Sequence, residues 1–205
     1  MTILTYIFFG FMMAYIGLIP PGMLNMTTVR TAIEKGKPAA LQFAAGAASI
    51  VTIHSFVAVY FAKYLGDHPE LIAKLKVAGI VVFFILSIFF FMQARKKFKA
   101  EGKKEDGNYF MTGLFMSAIN MLGIPFYLGA SALMESKGWI TLGGVNNYYL
   151  VIGAVLGAFA LFATYAQFAA IITKKAAFIA KNINYVLSGL FLVLGIVLII
   201  KMTTG

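Results

Sequence analysis

Cysteine is absent from the 205 residues. That removes structural disulfides, thiolate metal sites and CxxC electron carriers, and leaves the redox compartment unreadable. Charge is scarce as well: 12% of residues are charged, about half the share of a soluble domain. Acids are the rarer sign, seven against 17 Lys and Arg, and there are only two histidines. With so few, no carboxylate pair, Ser/His/Asp set or His/Glu metal cluster falls inside an apolar run, which argues against hydrolysis within a membrane. Asp67, His68 and Glu70 do cluster, but after Gly66 in a polar connection. There they read as a solvated turn with helix-capping acids, too few and too local for a divalent metal. No phosphate loop follows a strand, so ATP hydrolysis by this chain is not expected.

Apolar residues are abundant, at 61%, and they come in runs. About 20 such residues cross the hydrocarbon as a helix that satisfies its own backbone. Six spans fit: Ile3 to Thr28, Ala39 to Lys63, Leu71 to Gln93, Tyr109 to Met134, Tyr148 to Thr173 and Ile183 to Ile200. The first has no basic segment before it, the first cation being Arg30, so it is expected to be an uncleaved span rather than a signal peptide. The polar run RKKFKAEGKKEDGN at 95–108 divides the chain into a three-span repeat at 1–94 and another at 109–205, with 95–108 as a basic cytoplasmic linker.

Twelve of the 17 Lys and Arg lie in the connections after spans one, three and five, and five on the other side. The positive-inside rule then puts the linker in the cytoplasm and both termini outside. The same clustering between apolar runs assigns the net charge of +10 to lipid headgroups and not to nucleic acid. Three spans per half force the halves into opposite orientations, so any repeat is inverted. Three internal echoes support one: Pro20 and Pro21 against Pro125, Gly46-Ala47 against Gly153-Ala154, and Gly79 against Gly189. The expected fold is an all-α polytopic membrane protein of two inverted three-helix repeats, the first helix of each half broken by proline. Inverted repeats with broken helices place a solute site near the midplane.

Small and polar residues at helical spacing mark the faces that meet other helices. Gly10, Ala14, Gly17, Pro21, Asn25 and Thr28 share one stripe, and Gly113, Ser117, Asn120, Tyr127 and Ser131 another. Gln42, Gly46, Ser49 and Tyr60 line up in span two; Gly153, Gly157, Ala160, Thr164 and Gln167 line up in span five. His54 is the ionisable residue nearest the centre of a span. It reads either as a proton-coupling group or as a neutral histidine bonded to a neighbouring helix, its helical neighbours being apolar.

Proline removes a donor and displaces the carbonyl four residues earlier. By that rule Pro20 and Pro21 free the carbonyls of Ile16 and Gly17, and Pro125 frees that of Met121. The chain then restarts as a helix whose first N–H groups, from Gly22 onward, carry the positive dipole end and suit a carboxylate.

At IPPGMLNMTTVRTAIEKGKPAALQFAAGAAS (19–49) the chain resembles the lysine exporter (LysE/RhtB-type) translocators. SAINMLGIPFYLGAS and the closing INYVLSGLFLVLGIVLII extend the likeness along the chain in order. Two positions depart from that family's pattern: Met23 stands where proline commonly follows the first Pro-Gly, and Pro125 lies five residues after Asn120 in place of Asn-Pro. The resemblance implies a secondary transporter, not an enzyme, exporting amino acids or similar small zwitterions across the bacterial cytoplasmic (inner) membrane, with proton exchange as a candidate coupling. Its expected partners are an amino-acid substrate and the lipid bilayer, with a homo-oligomer left open; no cofactor or metal is expected. The candidate binding residues are Pro20, Pro21, Gly22, Met23, Leu24, Asn25, Asn120, Pro125, Tyr127 and Gln167, with His54 for proton coupling. Two rival readings stand beside it. A metal-ion exporter of the same superfamily would need more intramembrane acids or histidines, and a membrane assembly subunit would show a flat small-residue face. The orientation is testable: a single cysteine placed at Gly107 should react with an impermeant maleimide only from the cytoplasmic side.

Overall fold

The computed structural model describes residues 2–95, 107–120 and 122–204, so most of the polar linker and the Met121 carbonyl lie outside the described residues. The described residues form eight helices and no strand: α1 Ile3–Gly17, α2 Met23–Glu34, α3 Lys37–Asp67, α4 Pro69–Arg95, α5 Tyr109–Ile119, α6 Gly123–Ser136, α7 Asn146–Gln167 and α8 Ala169–Thr204. Local chemistry sets several ends. Gly36, at φ +90°, supplies the left-handed residue just beyond α2. Pro38 then falls in the first turn of α3, where its missing N–H is not needed. The Asn108 side chain accepts from Met111 N at 3.2 Å and caps α5.

The first and fourth apolar runs are each broken into two helices, as their prolines require. The fifth ends earlier than its apolar run suggests, at Gln167, and the sixth is a stretch within the longer α8. The Lys/Ala-rich segment before residue 183 reads as a loop by charge, but lysine and alanine are good helix formers and the helix runs through it. By length and composition α3 and α7 are each able to cross a membrane, and α5 with α6, bent by 68° at the break, passes the same test if the pair is taken as one span. α1 and the stretches Phe83–Met92 and Tyr185–Ile200 are shorter apolar helices. Large side chains such as Leu4, Ile85, Ile119 and Val186 stand exposed along these helices, as a lipid-facing surface requires. The architecture is that of an all-α polytopic membrane protein.

The chain groups into two compact units, Met1–Gly66 with Ala100–Lys174, and Asp67–Lys99 with Lys175–Gly205. Within the second, Ser87 and Ser188 exchange bonds: each hydroxyl donates to the other residue's carbonyl at 2.9 Å. Phe90 stacks on Phe191 beside them, centroids 5.6 Å apart.

Within the first unit, glycines set how closely helices approach. A Cβ on Gly10 would fall on the Leu150 carbonyl and lie 2.9 Å from Ala154 N, while Gly153 meets Ile7 O and Phe11 N. α1 and α7 therefore touch backbone to backbone. α3 and α5 do the same: Gly113 meets Phe43 O and Ala47 N, and Gly46 meets Phe110 O and Leu114 N. The two contacts correspond residue for residue. Ile7, Gly10 and Phe11 match Phe110, Gly113 and Leu114 at one constant spacing, and Phe43, Gly46 and Ala47 match Leu150, Gly153 and Ala154 at another. Gly189, by contrast, has open space where a Cβ would stand.

Bilayer helices gain little from apolar burial against one another and depend on such close approach. Gly10→Val and Gly113→Val should each destabilise the protein by about 1–3 kcal/mol through overpacking. Gly129→Ala, where a Cβ meets nothing within 4 Å, should be neutral or stabilise by about 0.5–1 kcal/mol. Thermal unfolding in detergent separates the two classes.

Candidate functional site

The first break begins before the prolines. Leu18 N still donates to Ala14 O at 3.0 Å, and Ile19 N reaches back to Ile16 O at 3.2 Å, so the last turn of α1 tightens. This corrects the proline rule at Ile16, whose carbonyl has a partner; Gly17 O, four residues before Pro21, still lacks a helical donor, and beyond it the carbonyls of Leu18, Ile19 and Pro20 also lie outside the helix. Side chains take them. Asn25 Nδ2 donates to Leu18 O at 2.7 Å and to Pro20 O at 2.9 Å. Tyr165, on α7, donates its hydroxyl to Ile19 O at 2.5 Å. Both side chains are buried, Asn25 at 4% exposure. The break is clamped from two helices.

α2 restarts at Met23 with Gly22 as its N-cap, in extended backbone and without a side-chain cap. The first helical bond runs from Met26 N to Gly22 O at 3.0 Å, so the N–H groups of Met23, Leu24 and Asn25 lack helical acceptors. Four of the next residues would leave polar atoms in a buried helix, since Asn25, Thr27, Thr28 and Thr31 are all buried. The threonines resolve this internally, each hydroxyl donating to the carbonyl four residues earlier at 2.8–2.9 Å.

A cavity of about 120 Å³ opens at this break, lined by Gly17, Leu18, Pro20, Gly22, Met23, Leu24, Asn25, Asn120 and Phe162. Asn120 comes from the second break, where it ends α5 with its N–H on Ser117 O at 3.0 Å. The Phe126 ring of α6 fills the space over Gly17. Both breaks thus contribute to one cavity. No lining side chain is charged, so its field comes from the negative end of α1 and the positive end of α2, placed head to tail across Leu18 to Gly22. A Cβ on Gly22 would meet nothing within 4 Å; the glycine leaves room beside the free N–H groups. Among the described residues no three His, Asp or Glu side chains come together as a metal site.

Residues 15–202 match the family described as LysE type translocator. The chain belongs to that family. No curated protein and no solved structure matches. The family is one of transporters, not of enzymes, and its members move small solutes.

In this translocator, Pro20, Gly22, Met23, Leu24, Asn25 and Asn120 come together around the cavity, with Pro21 in the chain between them. Met23 is exposed at its lip. Gln167 is exposed at the end of α7 and is not a lining residue, and neither is Pro125. Tyr127 is 1% exposed in the apolar core, and its hydroxyl has no partner among the described residues. His54 is buried against the second break, its Nδ1 2.9 Å from where a Cβ on Gly123 would stand.

The sequence reading missed Tyr165 and Phe162. Neither lies on the Gly153/Gly157 stripe, and for Tyr165 the signal was available: a tyrosine among small residues must place its hydroxyl somewhere. Replacing Tyr165 by Phe orphans the Ile19 carbonyl and should cost about 1–3 kcal/mol of stability. Asn25→Ala, which orphans two carbonyls, should cost more. Unfolding midpoints of both variants, measured in one detergent, check the order.

Proposed function

We propose that the protein is a secondary transporter exporting amino acids or similar small zwitterions across the cytoplasmic membrane, with both termini outside. The observation that carries this reading is the uncharged cavity between two helix ends of opposite polarity. The N–H groups of Met23 and Leu24, with the α2 dipole, bind the substrate carboxylate. The carbonyl end of α1, at Gly17, accepts hydrogen bonds from the ammonium, and Asn120 orients the molecule from the second break. Asn25 has both amide hydrogens engaged, so its part is to hold the break open and offer its carbonyl oxygen. Tyr127 and Gln167 lie outside the lining of this cavity.

The reading includes six spans in two inverted repeats. Within the first unit it is supported by the matched glycine contacts of α1·α7 and α5·α3, which a pseudo-two-fold axis in the membrane plane would generate. Proton exchange with substrate runs through His54, whose imidazole packs on Gly123 where the second helix restarts.

The test uses proteoliposomes loaded with a radiolabelled amino-acid panel under a pH gradient. Wild type should release at least one member faster than protein-free vesicles. The Cβ of Gly22→Ala would meet nothing within 4 Å, and Gly22→Val adds two methyl groups to the same space, so KM should rise severalfold, more for Val, while the unfolding midpoint of Gly22→Ala stays within about 2 °C of wild type, a shift of at most about 1 kcal/mol. Release of no amino acid would overturn the function; release with unchanged KM in both variants would remove the cavity from the site.

A further inference from the structure

The two halves differ most in one connection. Between α2 and α3 the chain needs only Lys35 and Gly36, whereas between α6 and α7 it runs from Lys137 to Val145. The longer segment, KGWITLGGV, is pinned at two points: Ile140 is 1% and Leu142 3% exposed, and both belong to the apolar core of the first unit.

Its attachment is unusual. Three consecutive backbone N–H groups are each held by a side chain from a different helix. Thr141 N donates to the Tyr6 hydroxyl of α1 at 3.2 Å, Leu142 N to the Glu135 carboxylate of α6 at 2.9 Å, and Gly143 N to Asn147 Oδ1 of α7 at 2.8 Å. The Tyr6 hydroxyl also donates to Thr141 O at 3.2 Å. Trp139 stacks on Phe9 of α1, centroids 6.0 Å apart. Glycines in the left-handed region flank the apolar anchors, Gly138 at φ +71° on one side and Gly143 and Gly144 at +131° and +54° on the other. These are conformations that glycine adopts without strain, so they suit pivots.

We propose that residues 137–145 are a gate that closes the N-terminal end of the first unit, with Ile140 and Leu142 as its plug and Tyr6, Glu135 and Asn147 as its latch. This rests on the transport reading. The plug sits at the Tyr6 end of α1 and the cavity at the Gly17 end, separated by about 16 Å of helix. The bonds from the N–H groups of residues 141–143 are all made to side chains, so that stretch can lift while Lys137, Gly138 and Trp139 keep their backbone bonds to the end of α6, and water can satisfy the released N–H groups. On the positive-inside orientation the gate faces the outside, where an exporter must release its solute. A segment present in one half only lets one end of an otherwise matched pair of repeats close by its own device.

Because the chain has no cysteine, introduced thiols report without background. Phe9→Cys with Trp139→Cys should be linked by a short bifunctional methanethiosulfonate. Linking should reduce amino-acid efflux to the protein-free level, and reduction should restore it. In a second measurement, Leu142→Cys should react slowly with an impermeant maleimide added on the N-terminal side, and about five- to tenfold faster when combined with Tyr6→Phe, which removes both bonds to Thr141. Unchanged efflux from the linked protein would overturn the gate while leaving the transport reading intact, and so would an unchanged labelling rate in Tyr6→Phe. Absence of efflux from untreated wild type would overturn transport itself, and the gate with it.

Discussion

Everything in the first unit follows from what becomes of backbone carbonyls where a helix is interrupted away from water. An unsatisfied carbonyl in hydrocarbon costs several kcal/mol, so a break survives only where other groups answer it. Here Asn25 and Tyr165 answer three consecutive carbonyls from Leu18 to Pro20. That fixes the position of α2 against α1 and of α7 against both. Once those helices are placed, Gly10, Gly153 and Gly157 must be glycines, because the backbones are already in contact. The cavity is what remains between a helix end that has been clamped and a helix start that has not.

The clamp also divides labour between neighbouring atoms. The carbonyls of Leu18, Ile19 and Pro20 already accept bonds from Asn25 and Tyr165, whereas Gly17 O and the N–H groups of Met23 and Leu24 have no helical partner. A site made this way has polarity without ionised side chains, which suits a solute that carries both charges itself. It also avoids placing a fixed charge in the membrane, the costliest alternative.

Much of this was legible in the sequence. Pro20, Pro21 and Pro125 located both breaks, and the Gly46-Ala47 and Gly153-Ala154 echo fell on the residues that make the matched contacts. Asn25 and Asn120 were found because amides within apolar runs are conspicuous. What escaped was settled by partners distant in sequence. Tyr165 meets Ile19 across 146 positions, and nothing local to either residue says so. The proline rule misplaced one of its two carbonyls, Ile16, because α1 tightens its last turn before the prolines arrive. The plug at 137–145 was invisible for a related reason: Ile140 and Leu142 alternate with Thr141 and glycine, and look like an ordinary connection until Tyr6, Glu135 and Asn147 are seen around them.

The three threonines of α2 have a mechanical consequence. Their hydroxyls bond to carbonyls of the helix that carries them or of its first turn, so they make no demand on neighbouring helices. α2 can therefore be buried like an apolar rod and still slide or turn against its surroundings without exchanging a threonine hydrogen bond. Asn25 ties the first turn of that rod to the end of α1, so a shift of α2 would pivot beside the cavity.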